Sequence, residues 1–114
     1  MKTKLYEFVN LNSNRTGIKK IMIHVYCQGD KELPHGPRIK VSNVYEKFRN
    51  DDCFVINILT LQVEEGAVKI KLYELELVKK WILLNKKILL KFWKSGEENS
   101  IDVFLDNVKK IDTK

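Results

Sequence analysis

The stretch Leu72-Tyr73-Glu74-Leu75-Glu76-Leu77-Val78-Lys79-Lys80-Trp81-Ile82-Leu83-Leu84-Asn85-Lys86-Lys87-Ile88-Leu89-Leu90-Lys91-Phe92-Trp93-Lys94 decides the reading of this chain. It holds no proline or glycine, and Leu, Lys and Glu dominate it, all residues that lose little side-chain freedom in a helix. Ser95-Gly96 then supplies a stop, with Gly96 suited to a left-handed cap. One long helix over 72–94 is therefore expected. On a wheel of about 100° per residue, Lys79, Lys80, Lys86, Lys87, Lys91 and Lys94 share an arc of roughly 140°. Leu75, Val78, Trp81, Ile82, Ile88, Leu89, Phe92 and Trp93 take the opposite side, wide enough to lie on a sheet. Leu83 and Leu90, seven residues apart, fall among the lysines and read as the centre of a contact patch with a polar rim.

Upstream of this helix the periodicity changes to that of strands. Ile21, Ile23, Val25 and Cys27 alternate with Met22, His24 and Tyr26, so 18–27 reads as a strand. Residues 38–44 alternate again, with Ile39 and Val41 inward. The run 53–63 is almost continuously apolar, as a central strand covered on both faces would be. Glu64-Glu65-Gly66 offers a turn, and 67–70 a short returning strand. A weaker candidate strand covers 4–9. Residues 10–17, rich in Asn, Ser, Thr and Gly, read as a loop, and Pro34 and Pro37 make 28–37 a loop or crossover. Tyr45 and Phe48, three apart in the polar stretch 45–52, suit a single helical turn. After the stop, Asn99 or Ser100 can cap a second helix over 99–111, with Ile101, Phe104, Leu105 and Val108 on one side. Strands followed by helices, joined by hairpin-length connections, predict an α+β fold. Its expected form is an antiparallel sheet of about four strands, packed against one long amphipathic helix and a short C-terminal helix.

The 114 residues suit a single domain, and an apolar share of 44% suffices for a core. No apolar run approaches the roughly 20 residues of a membrane span. Met1-Lys2-Thr3-Lys4 leads into no apolar leader. Cys27 and Cys53 are expected on separate strands as reduced thiols, which with the missing leader predicts a cytoplasmic protein. The formal net charge of +6 is concentrated: residues 71–94 hold seven lysines against Glu74 and Glu76. Such a stripe is either a solvated face, a protein contact (a partner or a second copy), or a nucleic-acid or other polyanion surface. Nucleic-acid surfaces favour Arg and exposed aromatics, whereas this stripe is all Lys with its tryptophans turned inward.

Chemistry is sparse. The chain has no phosphate-binding glycine loop, no dinucleotide turn, no His-Glu-x-x-His and no Cys-x-x-Cys. No metal or cofactor is expected, and the serines sit in loops, caps or strand edges without a nucleophile elbow. His24, mid-strand, reads as a hydrogen-bonded structural histidine. His35, stiffened by Pro34 and Pro37, is the candidate for acid–base chemistry with Asp30, and Glu32, Arg38 and Lys40 nearby complete a small polar cluster. A small hydrolase or nuclease around His35 is the enzymatic alternative.

The segments Ile21-Met22-Ile23-His24-Val25-Tyr26, Gly29-Asp30, Leu33-Pro34-His35, Leu75-Glu76-Leu77-Val78-Lys79-Lys80-Trp81-Ile82 and Leu89-Leu90-Lys91-Phe92-Trp93 resemble a small bacterial family, the domain-of-unknown-function 4160 family. The likeness spans roughly residues 18–94. Members carry Asp-His, then Pro-Pro-His-x-His-Val, and a helix reading Leu-Val-x-x-Trp-Ile followed by Leu-Leu-x-x-Trp. Here Lys31 follows Asp30, and Pro37 stands where the second histidine of the pair belongs. The resemblance implies a compact cytosolic α+β module, encoded beside another small protein in a toxin–antitoxin-like or mobile-element setting. It implies no reaction. The expected function is a non-enzymatic protein-interaction or regulatory component working through Lys79, Lys80, Leu83, Lys86, Lys87, Leu90, Lys91 and Lys94.

Overall fold

The computed structural model describes residues 8–27, 36–94 and 100–111. Five strands form one antiparallel sheet whose spatial order is their chain order: β1 (Phe8–Leu11), β2 (Ile23–Tyr26), β3 (Arg38–Ser42), β4 (Cys53–Asn57) and β5 (Val63–Glu65). Four helices accompany them: α1 (Ser13–Thr16), α2 (Leu72–Leu84), α3 (Lys86–Lys94) and α4 (Ser100–Asn107). The α+β class expected from the sequence is the one observed.

Register follows the alternation. Val25 lies opposite Val9 and Ile39, Val41 opposite Ile23 and Phe54, and Ile39 opposite Ile56. Because side chains alternate across a strand, these residues share one sheet face. They merge with Val78, Trp81, Ile82, Leu89, Phe92 and Phe104 into a single core. The Phe92 and Phe104 rings meet at 5.0 Å, which fixes α4 on α3.

Several expectations are corrected. The run 53–63 is two strands, because its one buried amide folds the chain back. Asn57 Oδ1 accepts from the amides of Leu59 (2.8 Å) and Thr60 (3.0 Å), and Leu61 takes a positive φ of 63°. The turn thus lies at 58–62 instead of Glu64–Gly66, and the returning strand is β5 instead of 67–70. Gly66 leaves β5 with φ of 84°, where a Cβ would strike the Cys53 carbonyl. The sheet also gains β1, so there are five strands where about four were expected.

The stretch 10–17 is the end of β1 followed by a one-turn helix. Asn12 Oδ1 caps the Asn14 amide at 3.0 Å, and Gly17 closes it with φ of 80°. A side chain at Gly17 would collide with the Ile111 carbonyl, and the Ile111 amide donates to Thr16 at 2.9 Å. The last expected helix is shorter than 99–111, ending at Asn107, and 108–111 has no regular secondary structure. Finally, 72–94 is not one helix. It breaks at Asn85, which is 2% exposed.

The break has a visible cause. Asn85 Nδ2 donates to the Trp81 carbonyl (3.0 Å) and to the Lys109 carbonyl (2.8 Å), while the Lys109 amide donates to Asn85 Oδ1 (2.7 Å). A buried amide that must satisfy both its donor and its acceptor thereby ties the C-terminal tail to the joint. At the other end of α2, the Glu74 carboxylate accepts from the Lys71 amide (2.8 Å) and the Tyr45 hydroxyl (2.7 Å), anchoring the helix start to the β3–β4 loop. Among the described residues no helix is long and apolar enough to cross a membrane.

Candidate functional site

The orientation of α2 and α3 is set by Trp81, fully buried, and Trp93, 4% exposed, whose ring meets Tyr26 edge-on at 5.4 Å. Their lysines consequently face outward: Lys80, Lys86, Lys87, Lys91 and Lys94 are exposed and Lys79 is half-buried. Among the described residues the ion pairs are Arg38–Glu65, Arg49–Asp51 and Lys69–Asp52. None involves these six lysines. Lys87, Lys91 and Lys94 stand at i, i+4 and i+7 of α3 with no acid beside them in that helix, an arrangement of like charges that costs the isolated helix a few tenths of a kcal/mol per pair.

Leu83 is 56% exposed among them, as expected from the wheel. Leu90 is not. It is half-buried and packs against the core, on the far side of the break at Asn85 from Leu83. Three neighbours were missed by the sequence reading: Leu72 (74% exposed), Tyr73 (61%) and Leu84 (49%). The signal was present, since nine of the thirteen α2 residues are apolar, more than one buried stripe can absorb. With Leu83 they form an apolar surface along α2, interrupted by exposed Glu76 and Lys80. Lys71 Nζ lies 5.9 Å over the Tyr73 ring.

The other sheet face carries the second cluster of notable groups. His24 stacks on Phe48 (centroids 4.6 Å apart, planes at 14°) and lies 5.0 Å from Phe8 and 5.7 Å from Tyr26. Its Nδ1 meets Asn10 Oδ1 at 2.7 Å. Burial, with the Lys40 charge adding to it, lowers its pKa to about 4, so the ring is neutral at physiological pH. With its ring covered and its Nδ1 engaged, His24 is a packing and hydrogen-bonding residue, as its place in the strand suggested. Lys40 and Arg38 are likewise engaged, Lys40 with Asn50 (2.9 Å) and Arg38 with Glu65 (2.7 Å).

His35, Asp30 and Glu32 lie outside the described residues. Cys27, buried just past β2, and Cys53, on β4, are both free thiols, and burial pushes the Cys53 pKa up. That is the opposite of an activated nucleophile. Among the described residues no group of three or more His, Cys, Asp and Glu could hold a metal ion. An open cleft of about 530 Å³ beside β1 is lined by Val9, Asn10, Leu11, Asn12, Asn14, Arg15 and Leu105, with no acid–base pair.

No protein-family model, curated protein or solved structure matches this chain. The likeness to the domain-of-unknown-function 4160 family therefore stays a likeness of residues.

Proposed function

We propose that this protein is a non-enzymatic interaction module, a regulatory or assembly component, that binds another protein surface through the outward side of α2, with the α3 lysines at its rim. The observation that carries the reading is the set of four large apolar side chains, Leu72, Tyr73, Leu83 and Leu84, all about half or more exposed on one helix. Single exposed leucines are ordinary. Four on one thirteen-residue helix, bordered by lysines in no ion pair among the described residues, have the make-up of an interface core with a polar rim. The test is co-purification from the host, followed by rebinding of the identified protein in pure form. A Leu83→Glu/Leu84→Glu variant, whose melting temperature should match wild type, is expected to bind at least tenfold more weakly. Equal binding by both proteins would remove the proposal.

The lysines support a second reading, a polyanion contact. Neutralising phosphates releases counterions, so such binding falls steeply with salt. Gel shifts with duplex and single-stranded probes, run from low to physiological ionic strength, decide it, and absence of any shift at the lowest salt counts against it.

A further inference from the structure

The outward side of α2 carries two adjacent rows of residues, all exposed except the half-buried Leu77 and Lys79. Leu72, Glu76, Lys79 and Leu83 stand at i, i+4, i+7 and i+11, and Tyr73, Leu77, Lys80 and Leu84 repeat the spacing one residue on. Each row spans about 60° of arc and about 16 Å of helix axis. Each begins and ends with a large apolar residue and carries at least one lysine between. Row one is charge-complementary to its own reverse, apolar–acid–base–apolar forward and apolar–base–acid–apolar backward.

A helix with such a face is complementary to itself when a second copy lies antiparallel. We infer that the occupant of the α2 face is a second copy of this chain, paired antiparallel about a two-fold axis near Val78. This rests on the interface reading above and names its partner. A two-fold axis across antiparallel helices brings together residues of one row at equal heights on opposite sides of the centre. Leu72 then meets the partner's Leu83, Tyr73 meets the partner's Leu84, and Glu76 meets the partner's Lys79, each contact made twice.

Charge complementarity is the deciding observation. Glu76 is the acid in these two rows, and it sits three and four residues before Lys79 and Lys80, a spacing that favours an ion pair within the helix. Yet Glu76 is in no ion pair among the described residues. The antiparallel arrangement gives both copies of Glu76 a partner. The unpaired lysines of α3 begin beyond Leu84 and so lie outside the paired stretch. An acidic partner protein, by contrast, would leave Glu76 facing like charge.

One three-turn helix per copy is a small contact, below about 1,200 Å² in total, so the dimer should be concentration-dependent. Sedimentation of the full chain from micromolar to near-millimolar concentration is the measurement. Wild type should move from monomer to dimer. Glu76→Lys at an exposed position and Lys79→Glu at a half-buried one should each weaken association at least tenfold. Mixing the two variants should restore it, since each then offers the charge the other lacks. The double variant carrying both substitutions should dimerise like wild type. A wild type that stays monomeric throughout would overturn the inference, as would a dimer indifferent to these reversals. If that monomer still binds a different protein through Leu83 and Leu84, the interface proposal stands and only the second copy is refuted.

Discussion

Replacing Asn85 by alanine tests the joint that divides the helical stretch. The side chain makes three hydrogen bonds, to the Trp81 carbonyl, the Lys109 carbonyl and the Lys109 amide, at 2.7 to 3.0 Å. The Trp81 carbonyl keeps a partner when they are removed, because the Asn85 backbone amide also donates to it at 3.0 Å. The two Lys109 groups do not keep theirs, but they sit on an exposed residue where water replaces part of the loss. At about 1–1.5 kcal/mol for each Lys109 bond, the expected cost is about 2–3 kcal/mol. For a domain of this size that is a fall of about 8–12 °C in melting temperature. Hydrogen exchange supplies the local readout, since the Lys109 amide should lose protection well before the sheet amides do. Asn85→Asp sharpens the test: it keeps an acceptor for the Lys109 amide but turns a carboxylate toward two carbonyls, so it should be less stable than the alanine variant. The reasoning fails if Asn85→Ala costs less than about 0.5 kcal/mol and leaves Lys109 protection unchanged.

Three further outcomes are expected. His24 is neutral in the fold with a pKa of about 4, whereas the unfolded chain takes up its proton near 6.5; its contribution is therefore complete above pH 6.5 and is lost as pH falls toward 4. The loss is about 1–2 kcal/mol once solvent screening of a half-buried group is allowed for, and His24→Phe should flatten that part of a urea-midpoint series against pH. Trp81→Ala should cost about 3–5 kcal/mol as a large-to-small change at a fully buried site. Trp81→Phe should cost far less, because the indole Nε1 it removes is buried without a hydrogen-bond partner among the described residues; chemical denaturation of both variants checks the pair. Gly66→Ala places a Cβ against the Cys53 carbonyl at a φ of 84° and should destabilise by at least about 1 kcal/mol, read as a lower melting temperature.

The parts of the fold legible in the sequence are those where one physical signal acts alone. Alternation of Ile23, Val25, Ile39 and Val41 gives β2 and β3 their inner faces, and both tryptophans mark the buried side of the helical stretch. The parts that misled are single polar residues inside apolar runs. Asn57 and Asn85 each look like minor interruptions of a strand and a helix, yet each is buried and uses its amide on backbone groups that composition does not reveal. Lys109 is twenty-four residues from Asn85. A wheel drawn over 72–94 assumes continuous phase, so it placed Leu83 correctly and Leu90 incorrectly, on opposite sides of the break. Leu72 and Tyr73 were passed over because they open the helix, and a pattern read from the core outward gives its first turn little weight.

The break also explains why apolar surface and charge are divided between two helices. A helix apolar on all sides is ordinarily buried on all sides, and α2, with nine apolar residues in thirteen, covers the sheet with Val78, Trp81 and Ile82 while leaving Leu72, Tyr73, Leu83 and Leu84 outside. In α3 the outward side is Lys87, Lys91 and Lys94, and every large apolar residue is at least half-buried. Were the two continuous, Leu90 would extend the apolar strip of Leu72 and Leu83 over about two further turns, lengthening an exposed surface with no defined end. Turning Leu90 into the core confines that strip to α2 and sets uncompensated lysines at its edge. The proposed association through α2 would then close on a limited contact, because growth beyond it would bring like charges together. If the proposed contact forms, the Asn85–Lys109 tether bears on it as well as on stability, and Asn85→Ala should alter how the chain associates even under conditions where it remains folded.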